Sequence, residues 1–137
     1  MNLAGLIQYT RSHRGAVVAS LKADGGPAAA YLEIAVTDAG ELVFDTMPSS
    51  RITSNVQRDH RVAIVYGGPE GTTLQCEGLA ERVDGAERAR YEAAYLAAFP
   101  DYTLEEPTSV LVRVRLRWAQ FGDFTEDGYE THEVDLT

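Results

Sequence analysis

Cys76 is the single cysteine of this 137-residue chain. One thiol cannot close an internal disulfide, and no Cys/His cluster at ligand spacing suggests a zinc site, so no metal is expected. Positive charge is scarce as well. Twelve Lys and Arg face 21 Asp and Glu, a formal net charge of −9. Phosphate backbones and anionic membrane surfaces are read by basic patches, so neither nucleic acid nor membrane is an expected partner. No apolar run approaches the roughly 18 residues of a membrane helix. Met1-Asn2-Leu3-Ala4-Gly5-Leu6 carries no basic segment and no long hydrophobic stretch. A secretory leader is therefore not expected, and a cytoplasmic setting is the default. Repeats, low-complexity tracts and linkers are absent. No nucleophile–base pattern and no paired carboxylates stand out. His13, His60 and His132 are scattered without ligand spacing and read as surface residues.

What is present is ordinary globular material: 45% apolar and 24% charged residues, enough chain for one domain with a sizeable core. Leu3, Leu6 and Ile7 suggest a short amphipathic helix ending near His13-Arg14-Gly15. Gly15–Leu21 is a short apolar strand, Asp24-Gly25-Gly26-Pro27 a turn, and Ala28–Val36 a second strand. Asp38-Ala39-Gly40 is a tight reversal and Gly67–Gly71 another turn. Thr72–Val83 reads as a long strand with a weak point at Gly78. Asp84 with Glu87 forms a capping box for a helix whose apolar face is Tyr91, Tyr95 and Ala98, closed by Pro100. Ser109–Trp118 alternates, with Val112, Val114, Leu116 and Trp118 on one face. Arg113, Arg115 and Arg117 form the other face, read as solvated with carboxylates as cross-strand neighbours. Tyr129–Leu136 offers one more short strand. Short strands joined by tight turns, with three helices, predict a mostly antiparallel barrel.

The richest stretch is Gly40–Tyr66, which reads as strand, polar turn, short helix, strand. Leu42-Val43-Phe44 and Val62–Tyr66 are the strands. Pro48-Ser49-Ser50 announces a helix start, with a hydroxyl able to accept from first-turn amides. Arg51, Asn55 and Arg58 recur on one side of that helix and Ile52 with Val56 on the adjacent side. Amide donors, the positive end of the helix dipole and a guanidinium converge there, which suits a phosphate. The plain alternative is an ordinary cap beside solvated arginines. Arg58 and Arg61 read as surface or interface ion-pair residues. Cys76 reads as a small buried apolar residue, and Trp118 either as core or as a shelf for a ring.

The order and spacing of Phe44-Asp45-Thr46, Pro48-Ser49-Ser50-Arg51-Ile52, Asn55-Val56 and Asp59-His60-Arg61-Val62 resemble the pyridoxamine 5'-phosphate oxidase-like family. The resemblance spans nearly the whole chain. It includes Gly15–Leu21 with its Gly-Gly-Pro turn, the Glu77-Gly78 strand, the Asp84 helix, and Arg117-Trp118-Ala119-Gln120-Phe121-Gly122-Asp123-Phe124. It implies a six-stranded antiparallel split β-barrel with flanking helices, one FMN-binding domain over residues 1–137. It also implies a homodimer with FMN in the groove between subunits. By the same resemblance Thr46, Ser50 and Arg51 hold the FMN phosphate, Gln75 or Thr73 approaches the flavin ring, and Trp118 comes near that ring across the dimer. Three positions depart from the family pattern: Ile52 replaces a phosphate lysine, Ala30 an arginine of the second strand, and His60 a proline. The resemblance therefore implies an FMN-dependent oxidoreductase acting on a small molecule, but not oxidation of pyridoxamine 5'-phosphate itself. Haem or a deazaflavin coenzyme are the alternative ligands, and a barrel without turnover the alternative role.

Overall fold

The computed structural model describes residues 1–125 and 128–137. Its elements run α1 (Leu3–Arg11), β1 (Gly15–Leu21), β2 (Pro27–Val36), β3 (Leu42–Thr46), α2 (Arg51–Arg58), β4 (Arg61–Gly67), β5 (Thr72–Arg82), α3 (Gly85–Ala98), β6 (Val110–Asp123) and β7 (Glu130–Glu133). The strands pair in the order β3-β2-β1-β4-β5-β6, all antiparallel, and β3 pairs again with β6. The sheet thus closes into a six-stranded barrel, as the sequence predicts. β7 is added to β6 outside the ring, Gln120 to Asp123 against Glu133 to Glu130. Closure gives each of the six strands two neighbours.

Inward residues of each strand fill the barrel: Val18, Ile34, Leu42, Phe44, Ile64, Leu74 and Val112 are all buried. Ile52 and Val56 of α2 and Leu6 of α1 join the same core. A second cluster forms outside the barrel, where Tyr91, Tyr95 and Phe99 of α3 and its C-terminal flank cover Ala35, Val43 and Leu111. This covering corrects the expected alternation of β6. Val110 to Val114 are buried without a break, including Arg113, because one face meets the barrel and the other meets α3. Arg113 is not solvated. It reaches Glu81 and Glu87 at 3.6 and 3.1 Å and the Tyr91 hydroxyl at 3.3 Å. The carboxylate neighbour expected across the sheet is there, Glu81 lying opposite Arg113.

The weak point at Gly78 is a β-bulge. Glu77 pairs with Trp118 and Gly78 with Leu116, so Arg117 is the extra residue. A Cβ on Gly78 would lie 2.4 Å from the carbonyl oxygen of Arg115, so glycine is what admits the partner backbone. The bulge inverts the phase of β6. Val112, Val114 and Leu116 face the core, but beyond Arg117 it is Ala119 and Phe121 that do, while Trp118 faces out. The capping box also differs. Asp84 makes no side-chain cap, pairing with Arg82 at 3.0 Å, while Glu87 goes to Arg113.

At one end of the barrel His13 ties α1 to the β4–β5 turn. Its Nε2 meets Glu70, and its Nδ1 lies 2.8 Å from the Tyr9 carbonyl and 3.1 Å from the Ser12 hydroxyl. Burial opposes charge on the ring, but the Glu70 and Tyr9 bonds outweigh it, and the His13 pKa is raised from 6.5. The His13 bond holds Glu70 below its ordinary 4.5. A raised histidine stabilises fully below its unfolded pKa and loses that as pH rises through the folded value. A lowered glutamate stabilises above its unfolded pKa and loses that as pH falls through the folded value. The two act together between 4.5 and 6.5. The difference in melting temperature between wild type and Glu70→Gln should therefore be largest in that window and shrink on either side. A difference that keeps growing up to about pH 9 would contradict this pairing.

Candidate functional site

Pairing between β2 and β3 covers only Ile34↔Phe44 to Val36↔Leu42. Before it, Ala28–Leu32 stay with β1; after it, Asp45 and Thr46 stay with β6 and the chain then runs on to α2. The two backbones diverge, and the split holds a crevice of about 370 Å³. Ala28, Ala29 and Ala30 line one wall, Asp45, Thr46 and Met47 another, and Ser50 and Arg51 stand at the N-terminus of α2. Short side chains on β2 keep the crevice open. Thr46, Ser50 and Arg51 are therefore brought together.

The helix start differs from the expected cap in a consequential way. Ser50 occupies the cap position with extended backbone, yet its side chain makes no capping bond. Its hydroxyl lies 2.5 Å from Thr46 Oγ1 and 3.0 Å from Thr53 Oγ1, and Thr53 donates to the Met47 carbonyl at 2.7 Å. With the Thr53 proton used there, the arrangement that satisfies all three contacts runs Thr46 to Ser50 to Thr53. First-turn amides of α2 are left without a capping side chain, at the positive end of the helix. Thr46 or Ser50 donates to a ligand only after turning a proton out of this chain. The amides and Arg51 are the donors already in place.

Arg51 is exposed, and no carboxylate among the described residues pairs with it. Arg58 turns aside, donating to the Leu21 carbonyl at 3.2 Å. Arg61 pairs with Asp59 at 2.6 Å, a surface pair as expected. Asn55, one turn after Arg51, lines the same crevice, as its spacing predicts. It is buried and donates to the Ser20 hydroxyl at 3.1 Å, pinning α2 to β1. Ile52, at the family's lysine position, is in the core with its side chain also at the crevice.

Gln75 and Trp118 lie elsewhere. On the outer face, Gln75 sits between Val65 and Gln120. One row further, Ala29, Ala19, Ala63, Glu77 and Trp118 follow one another across five strands. Neighbouring strands are about 4.8 Å apart, so roughly 19 Å of curved sheet separates Trp118 from Ala29 along this row. Its indole donates to Glu133 at 3.2 Å. One chain does not bring Gln75 or Trp118 to Arg51. A second crevice, of about 400 Å³, lies along the alanine row, lined by Ala19, Ala63, Glu77, Gly78 and Arg117, and both crevices touch Ser20. Thr73 is opposite Gly122, further along the same outer face.

A larger groove, about 890 Å³ between α1, β2 and α3, is a poorer candidate for an anion. Its arginines are neutralised: Arg11 by Asp38 at 2.7 Å, Arg14 by Glu33 at 2.6 Å, Arg90 by Glu41 at 3.1 Å. No histidine lines either smaller crevice. His60 is held against the Ala80 carbonyl at 3.0 Å. Cys76 is buried, and burial pushes its thiol up to about 12, so it is no nucleophile. Among the described residues there is no metal-ligand cluster, and no helix is long and apolar enough to cross a membrane.

A family model described as pyridoxamine 5'-phosphate oxidase matches residues 6–121. Comparison with curated protein sequences gives no match. Among solved structures, a heme-binding protein of Mycobacterium smegmatis superposes with a TM-score of 0.75 at 19% identity, covering 95% of this chain and 61% of that one. A protein of unknown function from Agrobacterium tumefaciens gives 0.74 at 22%, covering 85% and 56%. A pyridoxamine 5'-phosphate oxidase-related, FMN-binding protein of Nostoc punctiforme gives 0.70 at 14%, covering 97% and 95%. The chain thus spans about three-fifths of the first two relatives and nearly all of the third. At these identities the likeness is one of fold.

Proposed function

Because the chain belongs to the pyridoxamine 5'-phosphate oxidase-like family of FMN-binding split β-barrels, we propose that it binds FMN and serves as an oxidoreductase toward a small molecule. The observation that carries this reading is Arg51, which no described carboxylate neutralises, beside uncapped amides at the mouth of the β2–β3 split. Those groups would hold the phosphate, with Thr46 and Ser50 joining when their protons turn outward. The alanine-walled crevices give a smooth bed for the rest of the cofactor. Bound flavin supplies electron transfer through its ring; the chain contributes binding, orientation and exclusion of water. No catalytic side chain is assigned.

The same reading makes the protein a homodimer. Tyr31, Val17 and Val65 are neighbours across β2, β1 and β4 on the outer face, and they are 66, 39 and 42% exposed. A second copy on this face would cover them and would bring Gln75 and Trp118 of one chain toward Arg51 of the other. Oxidation of pyridoxamine 5'-phosphate itself is not proposed, since Ala30 and Ile52 replace two cations. We place the protein in the cytoplasm, in keeping with a reduced, buried Cys76.

The test is spectroscopic. Freshly purified protein should be yellow, release FMN on denaturation, and rebind one FMN per chain. A Soret band without flavin would support a haem-binding role instead, and saturation by a deazaflavin coenzyme but not FMN would reassign the cofactor. Protein that binds none of these would refute a cofactor role.

A further inference from the structure

Asp45 is the one carboxylate on the wall of the Arg51 crevice, on a chain of net charge −9. Left free, it would compete with an incoming anion for Arg51 or repel it. The structure shows it engaged from behind. Ser109, in the residue before β6, places its hydroxyl 2.5 Å from Asp45 Oδ1. Behind Ser109 stands Arg88 of α3, only 4% exposed. Its Nη1 donates to the Ser109 carbonyl and its Nη2 to the Ser109 hydroxyl, both at 3.2 Å. Arg88 is fixed in turn by Glu92 at 2.6 Å and Glu106 at 3.3 Å.

The direction of this chain is forced. A guanidinium has donors only, so the Ser109 oxygen accepts from Arg88, and the Ser109 proton must go to Asp45. The register supports it: Thr46 is opposite Val110, which puts Asp45 and Ser109 at the same end of the β3–β6 ladder. We propose that Arg88 and Ser109 are positioning residues for anion binding, which they promote by holding the Asp45 carboxylate away from Arg51. This rests on the phosphate-site reading above and adds to it a device built on the opposite side of β3 from the ligand.

The test compares FMN with riboflavin, which lacks the phosphate. Loss of one charge-directed hydrogen bond should let Asp45 swing, so Ser109→Ala should weaken FMN binding about tenfold. Riboflavin affinity should be unchanged, and Ser109→Thr, which keeps the hydroxyl, should behave as wild type. In an Asp45→Asn background, Ser109→Ala should change FMN affinity less than about twofold, because there is no charge left to restrain. Equal losses for FMN and riboflavin, or a tenfold loss that persists in Asp45→Asn, would overturn the proposal. Asp45→Asn alone answers if Ser109→Ala does not fold. It should leave FMN affinity within about twofold, whereas a gain of tenfold or more would mean that Asp45 already faces the phosphate. Wild-type protein binding neither FMN nor inorganic phosphate would overturn the phosphate site and this device together.

Discussion

Arg51→Ala is expected to raise the dissociation constant for FMN by about tenfold or more, since a charge-assisted hydrogen bond contributes on the order of 1.5–3 kcal/mol. The lower end applies because Arg51 is exposed and screened by solvent. Its effect should nonetheless exceed that of Thr46→Ala or Ser50→Ala. Those hydroxyls already satisfy one another, while the guanidinium has no competing carboxylate partner among the described residues. Riboflavin should bind wild type and variant alike. Stability should be unaffected, because nothing in the fold is seen to lean on this side chain. Isothermal titration or flavin fluorescence quenching measures the first quantity and thermal melting the last. Unchanged FMN affinity in a folded Arg51→Ala protein would remove the anchor from the site.

Val65→Asp should dissociate the proposed dimer. Val65 lies between Val17 and Gln75 on the outer face, at the β4 end of the apolar row that a second copy would cover. Symmetry would place the new carboxylate in the interface of both copies, where apolar side chains now meet. An uncompensated buried charge costs about 3–5 kcal/mol, or several hundredfold or more in the dimer dissociation constant. Sedimentation at micromolar concentration should show wild type at twice the mass of the chain and the variant at the mass of one. Since Val65 is exposed and belongs to neither buried cluster of the single chain, the variant should stay folded but lose flavin. A wild type that sediments as a monomer would contradict the dimer, and a variant that keeps flavin as a monomer would show the crevice complete in one copy.

Much of the architecture is legible in local pattern. The run Gly-Ala-Val-Val-Ala-Ser-Leu bounded by polar turns marks β1 residue for residue, and the break at Gly78 marks the bulge. Those features depend on near neighbours alone. What local pattern misses is set by partners distant in the chain. Arg113 looks solvated by alternation, yet α3 lies over it. Trp118 looks co-facial with Leu116, yet an extra residue at Arg117 turns it outward. Asn55 shares a helix side with two arginines, and only the fold sets Ser20 of β1 beneath it and buries it. Ser50 reads as a cap, but Thr46, brought back by the turn, takes its hydroxyl.

The site follows the same rule. Thr46, Ser50 and Arg51 are close in sequence, and the structure gathers them at one crevice. Gln75 and Trp118 are remote in sequence and stay remote in one chain. Arg88 gives no signal, because a charged residue in the first turn of an amphipathic helix reads as solvated, and nothing local links it to Ser109 or Asp45. Only the fold shows that Arg88 points inward, toward the start of β6.

The most direct measurement is the phosphorus NMR spectrum of FMN titrated with wild-type and Arg51→Ala protein. The account predicts that the phosphate resonance shifts on binding to wild type, reports a dianion over a wider pH range than free FMN, and loses both changes in the variant. A phosphate resonance that keeps the free chemical shift and titration in the wild-type complex would show that the phosphate lies in solvent, away from Arg51 and the start of α2, and would contradict the account.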